Sequence, residues 1–170
     1  EKAEFEKILP QLYERGYVLY DLDKLWVKQD GKMVRQKIML PEGKTPLILS
    51  VDDVAYAYGD GYAQQLFVDD SGELMYRVNN PYGGVDIIPD GDVMGVVDAF
   101  VAEHPDFSYQ GHKGTIALTG FQGAFGYDYD IPEQADQMRV VVAALKERGW
   151  NFASHSYTHN RVNNFYGPGC

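Results

Sequence analysis

Leu47-Ile48-Leu49-Ser50-Val51-Asp52-Asp53 is a short, nearly continuous apolar run that stops at two carboxylates. A run of this length and composition suits a strand buried on both faces. The chain then repeats the plan twice. Val93, Val96, Val97, Phe100 and Val101 fall on one helical face, and His104-Pro105 ends that helix. Thr115-Ile116-Ala117-Leu118-Thr119 predicts a second strand. Asp130 with Glu133 three residues on forms a capping box, and Met138, Val141, Val142 and Leu145 make the buried stripe of a second helix, closed by Gly149. Trp150-Asn151-Phe152-Ala153-Ser154 is the third strand, and it stops at His155-Ser156-Tyr157-Thr158-His159. Such alternation implies parallel strands joined by right-handed crossovers. The fold class is α/β.

Residues 1–40 form an N-terminal extension. Phe5, Ile8, Leu9 and Leu12 have helical spacing with Gly16 as the stop, and residues 17–20 and 33–40 have strand character, the second after an Asp30-Gly31 turn. Pro41-Glu42-Gly43-Lys44 marks the boundary with a second unit, residues 41–170. Within that unit, residues 54–91 are an insertion between the first strand and its helix. It holds a hairpin, 65–68 with 74–78, turning at Asp70-Ser71-Gly72, and the tyrosines 56, 58, 62, 76 and 82. Two readings of the insertion stand: a surface hairpin, or a tyrosine-lined wall over the active face suited to stacking on sugar rings.

The chain has 170 residues, enough for one domain with a sizeable core, and 45% hydrophobic content marks it as globular. The net charge of -10 argues against nucleic acid or an anionic membrane as the main partner, since both reward Lys and Arg. A single cysteine, Cys170, excludes an internal disulfide and any multi-cysteine zinc site.

In parallel α/β folds, sites form at the carboxyl ends of the strands. Asp52 and Asp53 follow the first strand, while His155 and His159 follow the third, so both motifs fall on one edge of the sheet. Two strand spacings put their backbones roughly 10 Å apart, within reach of inward-pointing side chains. His155 and His159 are four residues apart, so on a helical turn both imidazoles share a face. With a carboxylate they make a set that holds one ion and leaves positions open for water and substrate. Successive residues leaving a strand point in different directions, so one aspartate can ligate while the other takes a proton. His104 and His112 belong to the opposite rim and are expected at the surface. The segment from Gly120 to Gly126 has neither Gly-x-Gly spacing nor a P-loop lysine, and is expected as a mobile loop lining the same face.

Ser50-Val51-Asp52-Asp53 after an apolar strand resembles the first motif of the polysaccharide deacetylases (carbohydrate esterase family four), usually Thr-Phe-Asp-Asp-Gly, with Val54 standing where that family has Gly. His155-Ser156-Tyr157-Thr158-His159 is similar to their second motif, His-Ser/Thr-x-x-His. The resemblance covers about residues 46–160. It implies a distorted (β/α) barrel of fewer than eight strands, of which this chain holds the first part. Further motifs supplying an Arg, an oxyanion donor and a general-acid His are then expected beyond Cys170. It also implies Asp52 as the catalytic base and Asp53, His155 and His159 as ligands of a divalent metal, often zinc. The reaction it implies is hydrolysis of N- or O-linked acetyl groups on a polysaccharide such as peptidoglycan, at the cell surface or outside the cell. The alternatives are a glycan-binding relative that retains the metal site without turnover, and an unrelated flavodoxin-like domain.

Overall fold

The computed structural model describes residues 2–56, 61–121 and 123–158. Its elements are α1 (Lys2–Glu14), β1 (Tyr17–Leu19), β2 (Trp26–Gln29), β3 (Lys32–Arg35), β4 (Thr45–Leu47), β5 (Ser50–Asp52), β6 (Ala63–Val68), β7 (Leu74–Asn79), β8 (Val85–Ile88), α2 (Val93–Glu103), β9 (Gly114–Leu118), α3 (Pro132–Glu147) and β10 (Trp150–Ser154). The class is α/β, and among the described residues the strands do not close into a barrel.

The central sheet has the order β10-β9-β5, all parallel, with Asp52 paired to Ala117 and Ser154 to Leu118. β1 and β4 form a second parallel pair, Tyr17 to Thr45 and Leu19 to Leu47. Leu49 links the two, because its carbonyl accepts from the Thr115 amide at 3.0 Å. Along β1, β4–β5, β9 and β10, spatial order therefore follows chain order. Residues 1–40 contribute directly to this layer: Leu9, Val18, Leu19 and Tyr20 are buried, and β1 pairs in parallel with β4 across the expected boundary at Pro41.

β9 is the middle strand and is buried along Gly114, Thr115, Ile116 and Ala117. A Cβ at Gly114 would lie 2.8 Å from the Trp150 ring, so glycine there lets the indole pack onto the strand. The first strand differs from its expectation. It breaks between Leu47 and Ser50 and is not buried on both faces, since Ile48, Ser50 and Asp52 are exposed. The reason is topological: β1 ends opposite Leu47, so among the described residues β5 has β9 as its one hydrogen-bonded neighbour.

α2 begins at the Asp92 cap, whose side chain accepts from the Val93 amide at 2.7 Å, and it buries Met94, Gly95, Val96 and Val97. α3 buries Ala135, Val141 and Leu145, with Met138 and Val142 partly buried against the core. The Asp130–Glu133 capping box does not form. Pro132 occupies the first helical position, so Ile131 is the cap, without a side-chain hydrogen bond. Gly149 (φ +93) closes the helix as expected.

The insertion is a three-stranded antiparallel sheet, β6-β7-β8, one strand more than expected. Asp69 organises its first turn by accepting from the amides of Ser71 and Glu73 and from the Ser71 hydroxyl, and these bonds hold its carboxyl below the usual range. In the extension, the strand expected over 33–40 extends only over β3, paired with β2.

His112 is not at the surface: it is 7% exposed at the amino end of β9, with Nδ1 4.0 Å from Asp21. His104 is half-buried between the rings of Tyr13 and Phe100. Burial lowers the His112 pKa from 6.5; Asp21 and Asp23 oppose that shift and Lys24 adds to it. A lowered native pKa means that the unfolded chain binds the proton more tightly. Stability from neutral His112 is therefore full above pH 6.5 and is lost as pH falls through the lowered native value. Urea midpoints of the wild type should fall as pH drops below 6.5, more steeply than those of His112→Gln; parallel profiles would refute the assignment.

Candidate functional site

The carboxyl ends of β5 and β10 bring Asp52, Asp53 and His155 together, as their positions in the sequence predict. Asp53 Oδ2 lies 3.6 Å from His155 Nε2, and Asp52 Oδ2 lies 3.9 Å from Nδ1 of the same ring. One imidazole thus stands between two adjacent carboxylates. Both contacts are longer than a hydrogen bond. His159 lies outside the described residues, as does Tyr58. Among the described residues no group of three His, Cys, Asp or Glu is placed to hold a metal ion.

Both strand ends bend sharply where these residues sit. Asp53 (φ 57) and Ser156 (φ 70) occupy the left-handed region, uncommon for residues with a Cβ. The Asp53 amide still bonds to the Ala117 carbonyl at 3.2 Å, and the His155 amide to Leu118 at 2.8 Å, so the ladder runs right up to each bend. The Ser156 and Tyr157 carbonyls then accept from Gly120, and Tyr157 also accepts from Phe121. A Cβ on Gly120 would lie 2.2 Å from the Tyr157 ring, so glycine there lets the ring lie against the chain leaving β9.

Part of the segment expected as a mobile Gly-rich loop is instead a clamp: residues 123–125 are buried, while Phe121 is exposed. Ala124 and Phe125 are fully buried. The Phe125 amide donates to the Val54 carbonyl at 2.7 Å and the Gly126 amide to Ala55 at 2.8 Å, while the Phe125 carbonyl accepts from Leu66 of β6. The Phe125 ring meets Phe152 of β10 edge to face at 6.4 Å. One residue therefore touches the segment after Asp53 and the strand before His155. Gly126 (φ +84) allows this approach, since a Cβ there would stand 2.3 Å from the Gln64 carbonyl.

The tyrosines of the insertion divide. Tyr76 is buried and its hydroxyl accepts from the Gly95 amide at 3.0 Å, while Tyr62 and Tyr82 are exposed. Tyr56, three residues after Asp53, donates to the Asp92 cap of α2. Burial first, and the Asp92 charge second, push its pKa well above the usual value, so it stays a neutral donor. The wall of tyrosines over the site is thus not what Tyr56 and Tyr76 form; they are anchors inside the fold. The cap at Asp92 has a sequence signal, an Asp directly before an apolar helical run, but its partnership with Tyr56 has none.

Tyr56→Phe removes a part-buried hydrogen bond to a carboxylate and leaves the cap to Val93 intact. The expected loss is about 1.5–3 kcal/mol of stability, read from urea midpoints. A loss below about 0.5 kcal/mol would show that the anchor is dispensable.

A cleft of about 440 Å³ opens between residues on either side of His155 and the chain leaving β9. Phe152, Tyr129 and Tyr157 give it apolar surface, and Thr119, Ser154 and Ser156 give it polar atoms.

Two of the donors, Asp53 and His155, are spaced as two ligands of one divalent ion would be. Two ligands sharing one ion at about 2.0–2.2 Å lie roughly 3–3.6 Å from each other, and the Asp53–His155 separation falls in that range. A carboxylate oxygen and an imidazole nitrogen suit zinc and its neighbours. Comparisons with protein-family models, curated proteins and solved structures give no match to this chain.

Proposed function

We propose that this chain carries the core of a metal-dependent polysaccharide deacetylase, with Asp52 as general base and Asp53, His155 and His159 as metal ligands. The observation that carries the reading is the single imidazole of His155 facing Asp53 through Nε2 and Asp52 through Nδ1. The agreement of both motifs with that family's first two motifs supports it. So does strand order following chain order, the pattern of a (β/α) barrel as it opens.

When bound, a divalent metal supplies Lewis-acid polarisation of the acetyl carbonyl and acidification of water. Asp53 and His155, with His159, would hold the ion. Asp52 takes the proton of the attacking water at a carboxylate oxygen. The water oxygen bonds to the acetyl carbon, the bond from that carbon to nitrogen or oxygen breaks, and the leaving group takes up a proton. Acetate and a free amine or hydroxyl result. Asp52 suits this role because its carboxylate is exposed and accepts no hydrogen bond from any described residue. The cleft beside His155 gives an acetylated sugar ring apolar surface next to hydroxyl groups. The address that goes with this substrate is extracellular or at the cell surface; no helix among the described residues is long and apolar enough to cross a membrane.

The direct test is acetate release from N- and O-acetylated glycans by metal-loaded protein. Acetate released by the wild type and not by Asp53→Ala supports the reading. Stoichiometric metal without acetate release would assign the chain instead to the glycan-binding relatives.

A further inference from the structure

Among the described residues the β2–β3 hairpin is a two-stranded sheet paired to no other strand. A lone hairpin is marginal in water, and this one exposes large apolar side chains. Trp26 is 51% exposed, Met33 61% and, just beyond the hairpin, Met39 60%. The surrounding charge is equally unusual. Residues 24–37 hold five cations (Lys24, Lys28, Lys32, Arg35 and Lys37) against one acid, Asp30, for a net +4. The rest of the chain carries ten cations and twenty-four acids, a net -14. Lys24 bonds to Gln110, but the side chains of Lys28, Lys32, Arg35 and Lys37 have no hydrogen-bond or ion-pair partner among the described residues. In an acidic protein with carboxylates to spare, these cations are left facing solvent.

The register sorts them. Trp26 pairs with Arg35 and Lys28 with Met33, so an indole, a thioether and two cations share one face. Val34 and Lys32 lie on the other, with half-buried Val27.

We propose that this hairpin seats the protein on an anionic lipid surface. Cations alone would fit any polyanion, but exposed Trp26 and Met33 on one face, with Met39 just beyond the hairpin, add apolar area that a headgroup–acyl boundary buries. A soluble acidic glycan would be matched by amide and hydroxyl side chains, and between residues 24 and 37 only Gln29 and Gln36 supply them. The overall charge of -10 does not prevent this. Screening limits each charge to about 8 Å at physiological salt, so a surface meets the local patch rather than the whole molecule.

The hairpin's place in the fold adds a consequence. The turn at Leu22–Lys24 leads into it, and Asn151 at the start of β10 bonds to Asp21 and Asp23 beside that turn. The hairpin therefore springs from the amino-end rim, and about 13 Å of β10 separates Asn151 from His155. A protein seated by the hairpin holds its carboxyl-end site away from the lipid.

The two tryptophans make the test direct. Trp150 is 1% exposed, so a change in emission on adding vesicles reports Trp26. The chain is titrated with vesicles of equal parts phosphatidylglycerol and phosphatidylcholine, with pure phosphatidylcholine vesicles, and with a soluble polyuronate. A blue shift and co-sedimentation with the anionic vesicles alone, both lost at about 0.5 M salt, are expected. Each cation near an anionic surface strengthens binding about fivefold, so Lys28→Gln, Lys32→Gln and Arg35→Gln together should weaken it about a hundredfold. These positions are exposed, and unchanged circular dichroism verifies the fold of the variant. Equal binding to both vesicle types, no binding to either, or binding to polyuronate in place of vesicles would each overturn the proposal. None of these measurements involves the carboxyl-end site, so failure here and failure of the deacetylase assignment are separate results.

Discussion

Asp52→Asn should cut acetate release from an acetylated glycan by about 10²–10⁴-fold, the usual contribution of a positioned general base. The same variant should bind divalent metal nearly as tightly as the wild type. The division follows from geometry: Asp53, not Asp52, faces Nε2 of His155, while Asp52 lies on the Nδ1 side at 3.9 Å. Asparagine is isosteric with aspartate, so the bend after β5 and its bond to Ala117 survive, and only the proton-accepting charge is lost. Equal loss of metal and activity would show that Asp52 ligates. Activity within threefold of wild type, about 0.7 kcal/mol in barrier, would show that some other group takes the proton.

Phe125→Ala should destabilise the fold by about 3–5 kcal/mol, the usual range for deleting a fully buried aromatic side chain. Against a typical domain stability of about 5–15 kcal/mol this is a large share. The backbone bonds from Phe125 and Gly126 to Val54 and Ala55 can persist in the variant, so the loss measures ring packing. That packing includes the edge-to-face contact with Phe152, three residues before His155. The cavity therefore loosens the spacing between the two motifs as well as the core, and metal affinity in the folded fraction should fall. Urea midpoints give the first effect and metal titration the second. A stability loss under about 1 kcal/mol would mean that the clamp is not what fixes the site.

The parallel layer was legible because its signals are local. An apolar run for β9, a helical stripe under α2 and α3, and a run ending in His155 each need only neighbouring residues to be read. Their sharing of one edge followed from topology, and Asp53 and His155 do meet there. What escaped was set by contacts distant in sequence. β5 reads as a doubly buried strand, but its burial depended on how far β1 reaches, which Leu47 and Leu49 do not encode locally. The Gly-rich segment after β9 reads as mobile because glycine is permissive. In the fold its glycines allow close approach, as Gly126 does against Gln64. His112 and Tyr56 are polar residues whose burial is decided by partners far along the chain, Asp21 and Asp92. β2 and β8 are short, exposed strands with weak patterns, and pairing rather than composition defines them.

The most direct test of the central assignment is divalent-metal content and affinity of the protein after loading with zinc, measured beside Asp53→Ala, His155→Ala and His159→Ala. The expected result is stoichiometric metal in the wild type and its loss in all three variants, with Asp52→Asn still loaded. A wild type that retains no metal, or an Asp53→Ala variant that binds zinc as tightly as wild type, would contradict a metal site built where β5 and β10 end.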